Sequence, residues 1–500
     1  MDRAHGRRIR RGARPQALCV DVCGCGTGIP ARRPGLVSTA AAGGTRLPLT
    51  PGQHLLDFLE SIRPGGAAAA FNIAFRLTVD GPLDRRRLFD ALTRTVERHE
   101  ALRTALVRGR GMSEQVICAD AVPEITVLAL PMAAAEVAAL LVEHNNTPFD
   151  LARAPLLRAL LLEDPPRDRR LLQVTVHHSV ADAWSLEVLK RDIGRYYRAA
   201  DGSAPDPAPP PVGYRQLVLD ELAALESQEA AAARGFWPEY LGALEVLQIS
   251  AKNAEVASDQ PAVTSRGDRA LTTAQTARLR TMAARLRATP FMVLAAAYGF
   301  VLGHLCGCAA YLMPTFGHGR RDPRLRESVA MLFNPFVIRF SWSPEQTFAD
   351  LVASFKRNSL SAYRFQWYPF IEVLELCQDL SVSLVDPGSA LFPVQMLNVP
   401  KTPTGTALFG PDCVAAEYAV RHTAVGNVLP IDGLLTVKGS DAAMSMTFNA
   451  AQRLWNDRLA ASMCASVLGV CLAAAQDSEV TLRHLTRIVD GHFGGNGWSI

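Results

Sequence analysis

Residues 201–213 read DGSAPDPAPPPVG, a run holding five Pro and two Gly. Proline fixes φ and lacks an amide donor, so neither a helix nor a central strand passes through such a run. It cuts a chain of 500 residues, already too long for one ordinary core, into two halves. The expected organisation is a lobe over 47–200, a Pro-rich linker over 201–213 and a second lobe over 214–495. Residues 1–46 precede them as a basic, Gly-rich tail without apolar periodicity, expected to be disordered. That tail holds Arg3, Arg7, Arg8, Arg10, Arg11, Arg14, Arg32 and Arg33, and the whole chain is only +4. The body therefore has no basic stripe, and nucleic acid is not an expected partner. Cys19, Cys23 and Cys25 in the tail lack a second Cys/His pair at zinc spacing, so no metal is expected. The other Cys are scattered, which suits a reducing cytoplasm.

Each half mixes helix and strand. Phe71, Ile73, Phe75, Leu77 and Val79 alternate along a half-buried strand. Asp84 then caps a helix carrying Leu88, Leu92 and Val96 to about Arg98. A second strand places Leu172, Val174, Val176 and His178 on one face. An amphipathic helix from Trp184 to Tyr197 follows it. The second half shows strands near 309–316, 335–340, 391–398 and 442–448 between helices. The fold class is α+β. Residues 289–317 contain no Asp, Glu, Lys or Arg, enough by length to span a bilayer. Gly299, Gly303, His304 and Gly307 interrupt the run, so the expected form is a buried helix leading into a buried strand, with no membrane.

The chemistry-bearing string is Val176-His-His-Ser-Val-Ala-Asp-Ala-Trp-Ser185. Neighbours on a strand point to opposite faces, so only one His of the pair can share the apolar, site-facing side. The alternation selects His178. His177 then makes a structural hydrogen bond on the other side. Asp182 falls at the turn into the helix, where it can cap or reach an Arg. A histidine on a rigid strand end suits general-base work. An isolated pair would instead be two satisfied core histidines. Trp184 is expected in the core, and His304, His318 and His422, each isolated in the sequence, are expected to be structural.

The string resembles the HHxxxDG signature of nonribosomal-peptide condensation domains and their chloramphenicol-acetyltransferase-like relatives. Further elements follow in family order. Thr50-Pro-Gly-Gln-His-Leu-Leu-Asp-Phe-Leu59 is similar to SxAQxRxWxL, and Arg98-His-Glu-Ala-Leu-Arg-Thr-Ala-Leu106 to RHExLRTxF. Phe236-Trp237, the TPFMxL-like Ala288–Leu294 and Gly319-Arg320 come next. Val329-Ala-Met-Leu-Phe-Asn-Pro-Phe-Val-Ile-Arg339 is similar to IGxFVNTxxxR, and Gln366, Pro369 and Phe370 fit HQDxPFE. The chain departs from the pattern as well. Ala183 and Ala330 replace motif glycines, Pro335 replaces the Thr of FVNT, and Phe365 and Trp367 replace the His and Asp of HQD. The resemblance is to a divergent, stand-alone member.

What the resemblance implies is two acetyltransferase-like lobes in a V, with mixed sheets flanked by helices and a tunnel between them. His178, with His177 and Asp182, would be the catalytic set. An acyl thioester on the phosphopantetheine of an acyl or peptidyl carrier protein would meet a nucleophile, either a small molecule or carrier-bound. His178 would deprotonate or position that nucleophile. The turn at Ala183 and Trp184 would meet the oxyanion, plausibly through the Ala183 N–H. Asp182 would pair with Arg320, and Asn334 would either touch substrate or hold a loop. No bound cofactor or metal is needed, because the thioester is already activated. The implied protein is a cytoplasmic monomer. Two rivals stay open: an acyl-CoA-dependent acyltransferase and a non-catalytic recruitment domain of a synthetase assembly. A third, an epimerisation domain resembling HHxxxDxxSW, is disfavoured by the order Ala183-Trp184-Ser185.

Overall fold

The computed structural model describes residues 44–62, 71–108, 113–129, 134–199, 211–249, 264–386, 388–397, 399–418, 431–439, 443–452 and 454–494. Most of the 1–46 tail with its three Cys, His422, and residues 201–210 of the Pro-rich run lie outside these.

The alternating segment forms the strand Asn72–Asp80, buried at Phe75, Leu77 and Val79. It lies antiparallel to Arg169–His177, with Asn72 opposite His177 and Leu77 opposite Leu172. Leu157–Asp164 flanks that strand on the other side, and Glu124–Ala129 adds a parallel edge. Asp84 caps the following helix, Arg85–Arg98, by accepting a hydrogen bond from the Arg87 N–H. That helix packs on Ala183–Ala199, and together they cover one face of the sheet. His99, in the turn after the helix, lies 3.0 Å from Asp192 of the second helix. The Arg98–Arg103 string therefore joins packed elements.

The fifth strand of this sheet comes from the other side of the Pro-rich run. Val414–Glu417 pairs with Asn72–Asp80, Ala415 opposite Val79, and closes what would otherwise be an open sheet edge. Leu408, Phe409, Cys413 and Ala415 join the same core as Val79 and Leu189. A charge cluster fastens the crossover: Lys190 donates to Glu187 at 3.2 Å and to Glu417 at 2.9 Å, and Lys401 donates to Glu187 at 2.9 Å.

The second core surrounds Trp237, Tyr298, Phe340, Phe448 and Trp455, and it takes Leu55 from the helix Pro51–Ile62. Its sheets are the four-stranded set Val394–Met396, Gly433–Gly439, Met444–Ala451 and Thr264–Ala270, and the pair Ala310–Gly317 with Asn334–Ser341. The uncharged 289–317 run is the buried helix Pro290–Leu305, capped by Thr289, leading into the strand Ala310–Gly317. Among the described residues, Asp457–Gln476 is long and apolar enough to cross a membrane, and the pair Thr273–Arg285 and Pro290–Leu305 would also pass if its 94° bend were ignored. Met463, Val467 and Val470 of the first of these pack into the second core.

Candidate active site

The strand carrying the histidine pair ends at His177. His178 is the first residue of a 3-10 turn, His178–Val180, and not the last residue of the strand. The turn starts there because His177 caps it: the Ser179 N–H donates to His177 Nδ1 at 3.2 Å, and the Ser179 hydroxyl lies 2.7 Å from the same nitrogen. Phe71 and Phe149 present ring edges to His177, both at 6.2 Å between centroids. Burial pushes His177 down to about 3, with His178 and Arg158 adding to the effect, so it is a neutral, satisfied core histidine.

His178 differs. Its N–H donates to Phe71 O at 2.7 Å, and its ring tilts against Phe333 at 4.6 Å. Burial lowers its pKa from the ordinary value, against the opposing charge of Asp182 and the carbonyls of His178 and Ala181. No hydrogen bond of normal geometry reaches its buried Nδ1. The ring is thus held only by carbonyls of its own turn, at poor geometry, and by Phe333, which leaves it weakly tied to the scaffold.

Behind the turn, Gln53 Nε2 donates to Ser179 O at 3.2 Å and lies close to Gln115 Oε1 at 3.1 Å and Tyr214 OH at 3.2 Å. The same side chain caps its own helix, accepting from Thr50 N at 2.9 Å while Gln53 N donates to Thr50 Oγ1 at 3.2 Å. Gln53 stands inside the first family-like motif, yet nothing in its spacing marks it as the brace of the His178 turn.

Asp182 performs both roles the sequence left open. It caps the helix Ala183–Ala199 by accepting from Ser185 N at 2.9 Å. It also takes a two-pronged bond from Arg320, at 2.6 Å to Oδ2 and 3.0 Å to Oδ1. Leu332 N donates to Oδ2 at 3.1 Å, which ties the Val329–Phe333 segment into the same joint. Burial raises the Asp182 pKa, but the Arg320 charge and the bonds from Arg320 and Ser185 outweigh it and hold the carboxyl below its usual range. The glycine before Arg320 has a steric reason. Gly319 sits at φ +69°, and a Cβ there would lie 1.7 Å from Leu332 O.

Trp184 is half-buried and packs against the first core, with the Arg320 guanidinium over its ring at 5.3 Å and its Nε1 donating to Arg326 O at 2.9 Å. His318 is structural as well: its Nδ1 accepts from Arg320 N at 3.0 Å, and its ring lies 5.8 Å from Trp184. No periodic signal marks these contacts, because both residues serve the Arg320 turn. Asn334 spends its amide on the 366–370 loop, donating to Gln366 O at 2.9 Å and Tyr368 O at 2.8 Å and accepting from Phe370 N at 3.0 Å. Of the two roles open to it, the structure shows the loop-holding contacts.

Ala183 is the first residue of its helix, is exposed, and is not among the residues with positive φ. The methyl group therefore carries no backbone strain. Ala183→Gly is expected to cost at most about 1 kcal/mol through helix propensity and to leave the range of acceptors unchanged. Thermal unfolding and a panel of amines of increasing size check this; a variant that takes bulky amines refused by the parent would make Ala183 a gate. Among the described residues no cluster of His, Cys, Asp or Glu could hold a metal ion.

An α+β molecule of two joined cores, with a histidine turn locked to an Arg–Asp clasp between them, has known counterparts. A sequence model of the family described as Condensation domain matches residues 44–491. The chain belongs to the condensation-domain family and has its chloramphenicol-acetyltransferase-like fold. It is 32% identical over 340 residues to the phosphinothricin tripeptide synthetase PhsC of Streptomyces viridochromogenes, covering 66% of this chain and 31% of that protein. It is 31% identical over 394 residues to a dimodular nonribosomal peptide synthase of Bacillus subtilis, covering 76% of this chain and 16% of that protein. The chain thus spans less than a third of these curated relatives. Among solved structures, SgcC5 of Streptomyces globisporus superposes with a TM-score of 0.71 at 24% identity, over 87% of this chain and all of that one. The X-domain from teicoplanin biosynthesis superposes with a TM-score of 0.72 at 21% identity, over 89% of this chain and 98% of that one. At these identities both likenesses concern the fold.

Proposed function

We propose that the chain is an acyltransferase that joins a carrier-bound acyl or aminoacyl thioester to an amine, or to a hydroxyl, in natural-product assembly. The observation that carries this reading is His178: buried, shifted toward its neutral form, and with a ring nitrogen that no hydrogen bond of normal geometry reaches, beside a clasped turn. In the proposed step the acceptor nitrogen attacks the thioester carbonyl and a C–N bond forms. The C–S bond then breaks, and the thiol of the phosphopantetheine arm leaves. His178 takes the proton from the nitrogen and passes it to the departing sulfur. The first-turn N–H groups of the helix, Ala183 foremost, have no intrahelical acceptor and face developing negative charge favourably. Asp182, Arg320 and Gln53 position the turn and do not react. The condensation family of the curated synthetases supports a carrier protein as the partner that brings the donor.

The test supplies one acyl group on a carrier protein, on coenzyme A and on N-acetylcysteamine, each with a panel of amines and alcohols, and reads products by mass spectrometry. Transfer fastest from the carrier supports the reading. Preference for coenzyme A would move the chain to the acyl-CoA class, and no transfer from any donor would remove the catalytic assignment.

A further inference from the structure

An apolar cavity of about 60 Å³ lies in the second core, two aromatic rings from His178. Phe333 touches the His178 ring at 4.6 Å, and Phe316 lies 5.8 Å from Phe333 and lines the cavity. The cavity lies where two sheets meet without joining. Thr315 Oγ1 donates to Val394 O at 2.7 Å, but among the described residues no backbone ladder links the strands Ala310–Gly317 and Val394–Met396. The slit is lined by Pro314, Pro335 and Pro393, which have no amide N–H to offer. Phe58 and Leu59 reach it from the Pro51–Ile62 helix, and Leu384 closes it from the Gln378–Val385 helix. Pro314, Phe316, Phe58 and Leu59 are all only half-buried. Natively packed cores leave few such voids, and this one is lined by apolar side chains throughout.

We infer that this cavity is the specificity pocket for an apolar aliphatic or aryl group of the substrate, and that Pro335 helps set that preference. The inference rests on the transfer reading above. Pro335 stands where the family-like motif carries Thr, so this chain lacks at the cavity wall both a hydroxyl and an N–H that could bind a polar group. A charged or amide-bearing group placed there would lose its water and gain no partner.

Two kinetic series test it. Donor thioesters from acetyl to octanoyl are run with one fixed acceptor, and amines from methyl to octyl with one fixed donor. In one series kcat/KM is expected to rise about fourfold per methylene until the cavity is full, which identifies the substrate that enters it. Leu384→Trp fills the cavity and should lower the octyl-to-short ratio in that series at least tenfold. Phe316→Ala widens it and should extend the accepted length. A third arm, calorimetric titration with the unreactive S-octyl thioether of N-acetylcysteamine, needs no turnover: the parent should bind it and Leu384→Trp should bind it at least tenfold more weakly. Transfer that is flat in both series, or fastest with polar groups, overturns the inference and leaves the function standing. Thioether binding without transfer from any donor keeps the pocket and overturns the function. Octyl-to-short ratios and thioether affinity that neither variant changes also overturn the inference.

Discussion

Asp182→Ala is expected to destabilise the protein by about 3–5 kcal/mol, because it strips the partner from a guanidinium that has no access to water. The Arg320 side chain is fully buried and the Asp182 side chain 3% exposed, so solvent cannot replace the lost carboxylate. The same change removes the cap on Ser185 N and the acceptor for Leu332 N. Denaturant titration should show the midpoint fall, and activity should fall with it. Arg320→Met in the Asp182→Ala background should recover part of the loss, since an apolar pair no longer buries a lone charge. The pair has an acid signature too. The folded carboxyl lies below its ordinary value of 3.8, so its stabilisation is complete above that pH and is lost as pH falls through the lower folded value. The parent should therefore lose this contribution only below about pH 4, a limb absent from Asp182→Ala. A variant that melts like the parent yet is inactive would reassign Asp182 from positioning to chemistry.

Much of this joint was readable in the chain, and the reason is local. The alternation of Leu172, Val174 and Val176 fixes the faces of one strand, and the Asp four residues after His178 falls where a helix cap is needed. Gly319-Arg320 was readable only by likeness, since its meaning lies in the 1.7 Å that separates a hypothetical Cβ from Leu332 O, across the fold. The crossover of Val414–Glu417 onto Asn72–Asp80 had no such signal. Its strand is four residues long, and its partner is more than 330 positions away. The Pro-rich run suggests a division by sequence, but packing also follows the exposed sheet edge, so Ala415 contributes to the first core and Leu55 to the second. The contacts of His318 and Trp184 were not readable for a related reason: what fixes them is the turn of Arg320, and periodicity reports nothing about turns.

His178→Ala is expected to lower kcat by about 10²–10⁴ while leaving the fold in place. No hydrogen bond of normal geometry reaches Nδ1, and the ring packs on Phe333 and on carbonyls of its own turn, so its removal breaks no joint between elements. His177→Ala should do the opposite: it uncaps the turn at Ser179 and empties a site between Phe71 and Phe149, costing about 1–3 kcal/mol of stability. The pair thus separates chemistry from scaffolding at adjacent positions. The pH dependence carries the same assignment. Burial lowers the His178 pKa below its ordinary 6.5, so the free base is present at neutral pH and protonation removes it only on the acid side of that value. kcat/KM should hold level from pH 8 down past about 6.5 and fall below it, and a further loss at lower pH should follow the Asp182 joint. An acid limb centred above 6.5, or a His178→Ala enzyme with near-normal turnover and the same limb, would take the base role away from His178 and leave it a positioning residue.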